Sequence, residues 1–227
     1  HEKGIFTYER DNSLKLLHAV NGVWNFKQHK SRKDLIYCGT YNGIIILKKI
    51  NGKWSFYKRL DGFYDSSRFI EFDNNYLWVC HPAKGFFKLA LGDNLENITS
   101  FDFLNNFNSN DAFFYNYFFK LNDELIFYNP AGFYKYDKTD KTFYKTKAVA
   151  EMFLSISDLS FVKQLDNSLW FSTNNHIGLY DLGLQKLRSF KNNKIKTLGD
   201  FSKFKRLNQK YVLFNSEDQV FVLNEED

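Results

Sequence analysis

Eight residues in this 227-residue chain stand out for what their side chains can bind: Tyr41, Asn42, His81, Asn129, Asn174, Asn175, His176 and Asn215. Each falls just after a short apolar run, in a place that recurs along the chain. Aromatic rings stack on the CH faces of a sugar, and amide and imidazole groups supply the planar donors and acceptors that hydroxyls require. The set suits a neutral, polyhydroxylated ligand. Asn is also the ordinary residue of tight turns, where its side chain bonds nearby amides and tolerates left-handed backbone. Taken singly, each position fits that plainer reading too.

Bond-breaking chemistry has no signature here. The sequence lacks His-Glu-x-x-His, a P-loop, Gly-x-Ser-x-Gly and Cys-x-x-Cys, and acid/base or nucleophilic catalysis needs such groups to converge. The five histidines, at 1, 18, 29, 81 and 176, have no close metal-ligand spacing, so neither cofactor nor metal is expected. Asp73 and Asp166 stand in turn-like stretches near Trp78 and Trp170; the carboxylates read as turn formers and the indoles as core. Cys38 and Cys80 close equivalent apolar runs in neighbouring repeats, at ~10 Å or more apart, too far for a disulfide. They read as small buried hydrophobes.

The elements that must position these residues are visible as a repeat. LIYCGTYNGIIIL from 35, LWVCHPAKGFFKL from 77, LIFYNPAGFYKYD from 125, LWFSTNNHIGLYD from 169 and YVLFNSEDQVFVLN from 211 start 42, 48, 44 and 42 residues apart. Each is an apolar strand, a polar turn and a second apolar strand, four of them with a Gly opening or just inside the second strand. A period in the forties built from short strands marks propeller blades. The expected fold is an all-β propeller of four-stranded antiparallel blades, with about five blades visible. Units are expected at about 23–60, 67–103, 115–146, 158–190 and 201–224, with a half-blade at 4–20. Asn51-Gly52 predicts a type I′ hairpin, and 147–154 is the one helical turn expected. Both ends read as mid-blade, so a fragment of a larger, seven-bladed propeller is expected rather than a closed five-bladed ring.

The unit resembles the two-component-regulator propeller repeat. The matching residues are Asp73, Leu77-Trp78 and Gly85-Phe86-Phe87 in one copy. In another they are Asp166, Leu169-Trp170-Phe171-Ser172-Thr173 and Gly178-Leu179-Tyr180-Asp181. The resemblance implies the periplasmic sensor of a Bacteroidetes-type membrane-spanning regulator, recognising an oligosaccharide or other small ligand. It implies adjoining propeller and sandwich domains in the parent chain and an output by histidine kinase or DNA-binding domain. A protein-interaction scaffold in secretion or surface assembly is the alternative, and a propeller hydrolase or lyase a weaker one.

Composition narrows the partners. A net charge of +5 from scattered residues includes no basic arm, so direct nucleic-acid contact is not expected. No apolar run approaches 18 residues, so neither is membrane insertion. No signal-peptide pattern is visible, so an extracytoplasmic location rests on the resemblance. Open blade edges invite strand pairing, which makes a homodimer a further expectation.

Overall fold

A computed structural model describes residues 3–105, 116–156, 159–173, 176–190, 201–216 and 219–225. The chain divides into two compact units, His1–Tyr117 and Phe118–Asp227. The fold class is a β-propeller of antiparallel four-stranded blades.

In the first unit, β1 (Ile5–Tyr8) and β2 (Leu14–His18) form a two-stranded half-blade. The next sheet runs β3 (Asn25–His29), β4 (Arg32–Thr40), β5 (Gly43–Ile50) and β6 (Lys53–Arg59). The third runs β7 (Phe69–Asp73), β8 (Tyr76–His81), β9 (Gly85–Leu91) and β10 (Ile98–Leu104). Each strand pairs with its sequence neighbour, as hairpin connections dictate.

Strand burial explains why the repeat was legible. The end of β4, Leu77–Cys80 of β8 and the starts of β5 and β9 are buried without interruption, whereas β6 is largely open. The middle strands of a blade are covered on both faces, so alternation gives way to continuous apolar runs. The period of two survives in where each side chain goes. Leu35, Tyr37, Ile44 and Ile46 pack with Ile70, Phe72, Leu77, Val79, Phe87 and Leu89 of the following blade. Cys38, Ile45 and Leu47 turn the other way, toward Ile5, Leu17 and Val20 beside the half-blade.

The second unit repeats the plan. β11 (Tyr117–Leu121) to β14 (Thr142–Lys145), with β12 (Glu124–Asn129) and β13 (Gly132–Asp137) between, form one sheet. α1 (Lys147–Met152) follows; then come β15 (Leu159–Leu165), β16 (Ser168–Thr173), β17 (Ile177–Asp181) and β18 (Lys186–Phe190). A three-stranded sheet closes the order: β19 (Phe201–Arg206), β20 (Tyr211–Ser216) and β21 (Gln219–Asn224). Trp170, Ile177 and Leu179 pack with Phe204, Val212 and Phe214 of the next sheet, and Trp170 lies flat on Phe190 at 5.6 Å.

Turn chemistry follows the sequence. Asn51 and Gly52 both have positive φ (49° and 80°), as a type I′ hairpin demands. The recurring Gly after the polar turn is explained by φ of 85° at Gly43, 125° at Gly85 and 137° at Gly132, conformations that a side chain resists. The unit expected from about 23 opens its first strand, β3, at Asn25, with Val23 buried beside the half-blade. Asp166 has the left-handed backbone of a turn residue (φ 50°), as expected, and its carboxylate is also held by Arg206 of the next sheet at 2.5 Å. Similar ties join inner strands elsewhere: Lys27 pairs with Glu71, and the Lys163 ammonium donates to the Phe204 carbonyl at 2.7 Å.

Candidate functional site

Antiparallel order places the β4–β5 and β8–β9 connections at the same end of the first unit as the segments leading into β3 and β7. The sequence placed Tyr41-Asn42 and His81 there, and the structure links them through the β6–β7 segment. The Gly43 amide donates to the Asp65 carbonyl at 3.0 Å, and the Ser67 amide to the Thr40 carbonyl at 2.8 Å. Lys84, in the His81 loop, pairs with the Asp65 carboxylate. Asp65 is thus the common anchor of both loops.

Tyr41 is 39% exposed and meets Trp24 edge to face at 5.2 Å. Gly22 makes room for it: with φ of 65°, an added Cβ would stand 2.1 Å from the Tyr41 ring. Trp24 carries the Arg68 guanidinium over its face at 5.2 Å, with the Phe69 ring at 5.6 Å from the same group. The Trp24 indole N–H is buried with no acceptor among the described residues. Tyr64, 61% exposed, stands on the same segment. Asn42 is exposed, and its carbonyl accepts from Arg59, while its side-chain amide has no partner among the described residues.

His81 first serves its own turn. Its Nδ1 accepts from the amides of Ala83 (3.2 Å) and Lys84 (3.1 Å). Burial, then the Lys84 charge, hold its pKa below the ordinary imidazole value, with Asp65 opposing. A neutral ring that accepts at Nδ1 must carry its proton on Nε2, so the free side of His81 is a donor.

In the second unit the predicted residues are more committed to structure. Asn129 is 1% exposed; its Oδ1 accepts from the Ala131 amide at 2.9 Å, and its amide nitrogen is buried with no partner among the described residues. The His176 Nδ1 lies 3.0 Å from the Thr173 hydroxyl. Asn215 falls within β20, opposite Val220. Asn174 and Asn175 lie outside the described residues. At the opposite strand ends is an open cleft of about 550 Å³ lined by Asp166, Ser168, Arg206, Asn208 and Glu225. Arg206 bridges both carboxylates there, so its guanidinium is already engaged. It is distinct from the ends that bear His176 and Asn215.

Sequence reading missed Trp24, Arg68 and Asp65, although segments between blades share a face with the β4–β5 and β8–β9 loops. Among the described residues no three His, Cys, Asp or Glu side chains gather as a metal site. No described helix is long and apolar enough to cross a membrane.

Comparison with known proteins places the fold. No family model and no curated protein matches the sequence. Among solved structures, the chain is similar to the extracellular domain of BT3049, assigned as a hybrid two component system of B. thetaiotaomicron: 17% identity, TM-score 0.58, covering 94% of this chain and 28% of that one. The extracellular domain of BT4673 from the same organism gives 15% identity and a TM-score of 0.60, over 99% of this chain and 30% of that one. The Dos1 propeller gives 11% and 0.55, over 99% and 60%. The likeness is one of propeller architecture, and this chain spans under a third of the length of either Bacteroides structure.

Proposed function

We propose that this chain is part of a ligand-sensing extracytoplasmic propeller of a two-component-type regulator, and that it takes an oligosaccharide on the loop face of its first unit. The observation that carries the reading is the gathering of Tyr41, Asn42 and His81 around one segment anchored at Asp65. Tyr41 and Tyr64 offer exposed rings, Asn42 a side-chain amide, and the His81 Nε2 a donor. Sugar recognition needs such a mixture of apolar platform and fixed polar groups. The architecture shared with extracellular domains of assigned two-component systems supports the placement.

Nothing in this arrangement calls for bond cleavage. Binding would act by differential affinity for two arrangements of the parent receptor, shifting their populations. Adjoining propeller and sandwich domains, and a second copy of the receptor, are the partners proposed to carry that shift. Saturation-transfer difference NMR of the chain with a broad set of oligosaccharides tests the reading. Transfer to a sugar that Tyr41→Ala abolishes supports it; no transfer to any sugar overturns it.

A scaffold reading has one observation in its favour. Phe101 and Phe103, 46% and 47% exposed, alternate along the sheet-edge strand β10, and an apolar edge of this kind suits a protein partner. Loss of a captured partner on Phe101→Ser with sugar binding unchanged would assign the edge to that role.

A further inference from the structure

Arg68 differs from the paired cations of the first unit. Lys27 is paired with Glu71, Lys84 with Asp65, and Arg32 with Asp34 and Glu96. Among the described residues Arg68 has no acid and no hydrogen-bond acceptor; its contacts are the faces of Trp24 and Phe69. The acids nearest to it in sequence, Asp65 and Glu71, are already engaged by Lys84 and Lys27. Arg59, at the other end of the same segment, donates to the Asn42 carbonyl and, like Arg68, meets no acid among the described residues.

Resting on the sensing reading above, we infer that the ligand is an acidic saccharide, and that Arg68 is the residue that reads its carboxylate or sulfate. A guanidinium laid on aromatic faces keeps its in-plane N–H donors available while losing little side-chain freedom on binding. Its fork matches the two oxygens of a carboxylate or sulfate, and such charge-assisted pairs are stronger than neutral hydrogen bonds. Tyr41, edge-on to the same Trp24, supplies the ring for the sugar body. A neutral sugar at this rim would leave Arg68 as unmatched as it is now.

The test is ¹⁵N NMR of the labelled chain, following the Arg68 side-chain Nε–H, assigned by its loss in Arg68→Lys. Sodium D-glucuronate, D-glucose and sodium sulfate are titrated at matched ionic strength into the tens of millimolar. The expected result is a saturable shift with glucuronate, none with glucose, and a weaker one with sulfate. In calorimetry with a glucuronate-terminated oligosaccharide, Arg68→Gln should lower affinity roughly 10- to 100-fold, the value of one charge-assisted bond. Arg68→Lys, which keeps charge but not the fork, should recover only part. Silence at Arg68 with glucuronate, or sulfate matching glucuronate, overturns the inference. If neutral oligosaccharides shift Tyr41 and His81 while Arg68 is indifferent, this inference falls and the sensing reading stands. If no saccharide perturbs the rim, both fall.

Discussion

Replacing Gly39 by Ala isolates the contact that sets the site. Gly39 does not have a left-handed backbone, so the added methyl costs nothing through φ; its whole effect is steric. That methyl would sit 2.0 Å from the Ser67 carbonyl oxygen, where real Cβ contacts essentially never fall under 3.0 Å. The β6–β7 segment must therefore retreat by about 1 Å. It cannot do so freely, because the Ser67 amide is tied to the Thr40 carbonyl at 2.8 Å and Gly43 to Asp65 at 3.0 Å. Weakening both bonds costs about 0.5–1.5 kcal/mol each, and crowding a packed backbone about 1–3 kcal/mol. Together these come to about 2–6 kcal/mol. Urea unfolding followed by tryptophan fluorescence reads this well, since Trp24, Trp54 and Trp78 lie in the first unit. Gly52→Ala is the control: nothing stands within 4 Å of its added methyl, and only its φ of 80° opposes it, at about 1 kcal/mol. A Gly39→Ala variant no less stable than Gly52→Ala would refute the steric reasoning, and with it the rigidity of the segment carrying Asp65 and Arg68.

Three further outcomes follow from buried groups. The Tyr37 hydroxyl donates to the Leu95 carbonyl at 2.5 Å, so Tyr37→Phe should cost about 1–3 kcal/mol by orphaning that oxygen, seen as a lower urea midpoint. His18 and His81 are both held below the ordinary imidazole pKa of 6.5, chiefly by burial. Below pH 6.5 the unfolded chain binds protons that the folded chain refuses, so stability should be full above that pH and fall toward pH 5. Asp34 and Glu96 are held below the ordinary carboxylate range, Glu96 because Tyr57, Arg32 and Lys48 outweigh its burial, and so titrate outside this window. A flat stability profile from pH 7 to 5 would contradict it. Burial raises the thiol pKa of Cys38 and Cys80, so neither should react with iodoacetamide in the native chain and both should in urea.

The blades could be read from sequence because their middle strands are continuous apolar runs closed by a glycine. β5 and β9 open at Gly43 and Gly85, the glycines that mark the second strand of the repeat in sequence. Trp78 and Trp170 fill the interior as their repeated position implies. Segments between blades were harder. Trp24 and Arg68 stand just before the strands, since β3 starts at Asn25 and β7 at Phe69. No periodicity marks a cation stacked on a ring 44 residues away. His81 and Asn129 were legible as polar residues after an apolar run, but the structure makes them the last residues of β8 and β12, and the backbone amides that claim one acceptor of each were not legible. Asp166 was legible as a turn residue; its partner Arg206 lies in the next sheet, beyond any local pattern.

Calorimetric titration of the native chain and Tyr41→Ala, side by side, against the same oligosaccharide series tests the sensing role most directly. The expected result is at least one saccharide with saturable heat, its affinity lost in the variant while the melting temperature holds. Saccharide heat that Tyr41→Ala leaves unchanged, or none from any member of the series, would contradict a sugar-sensing rim on this face.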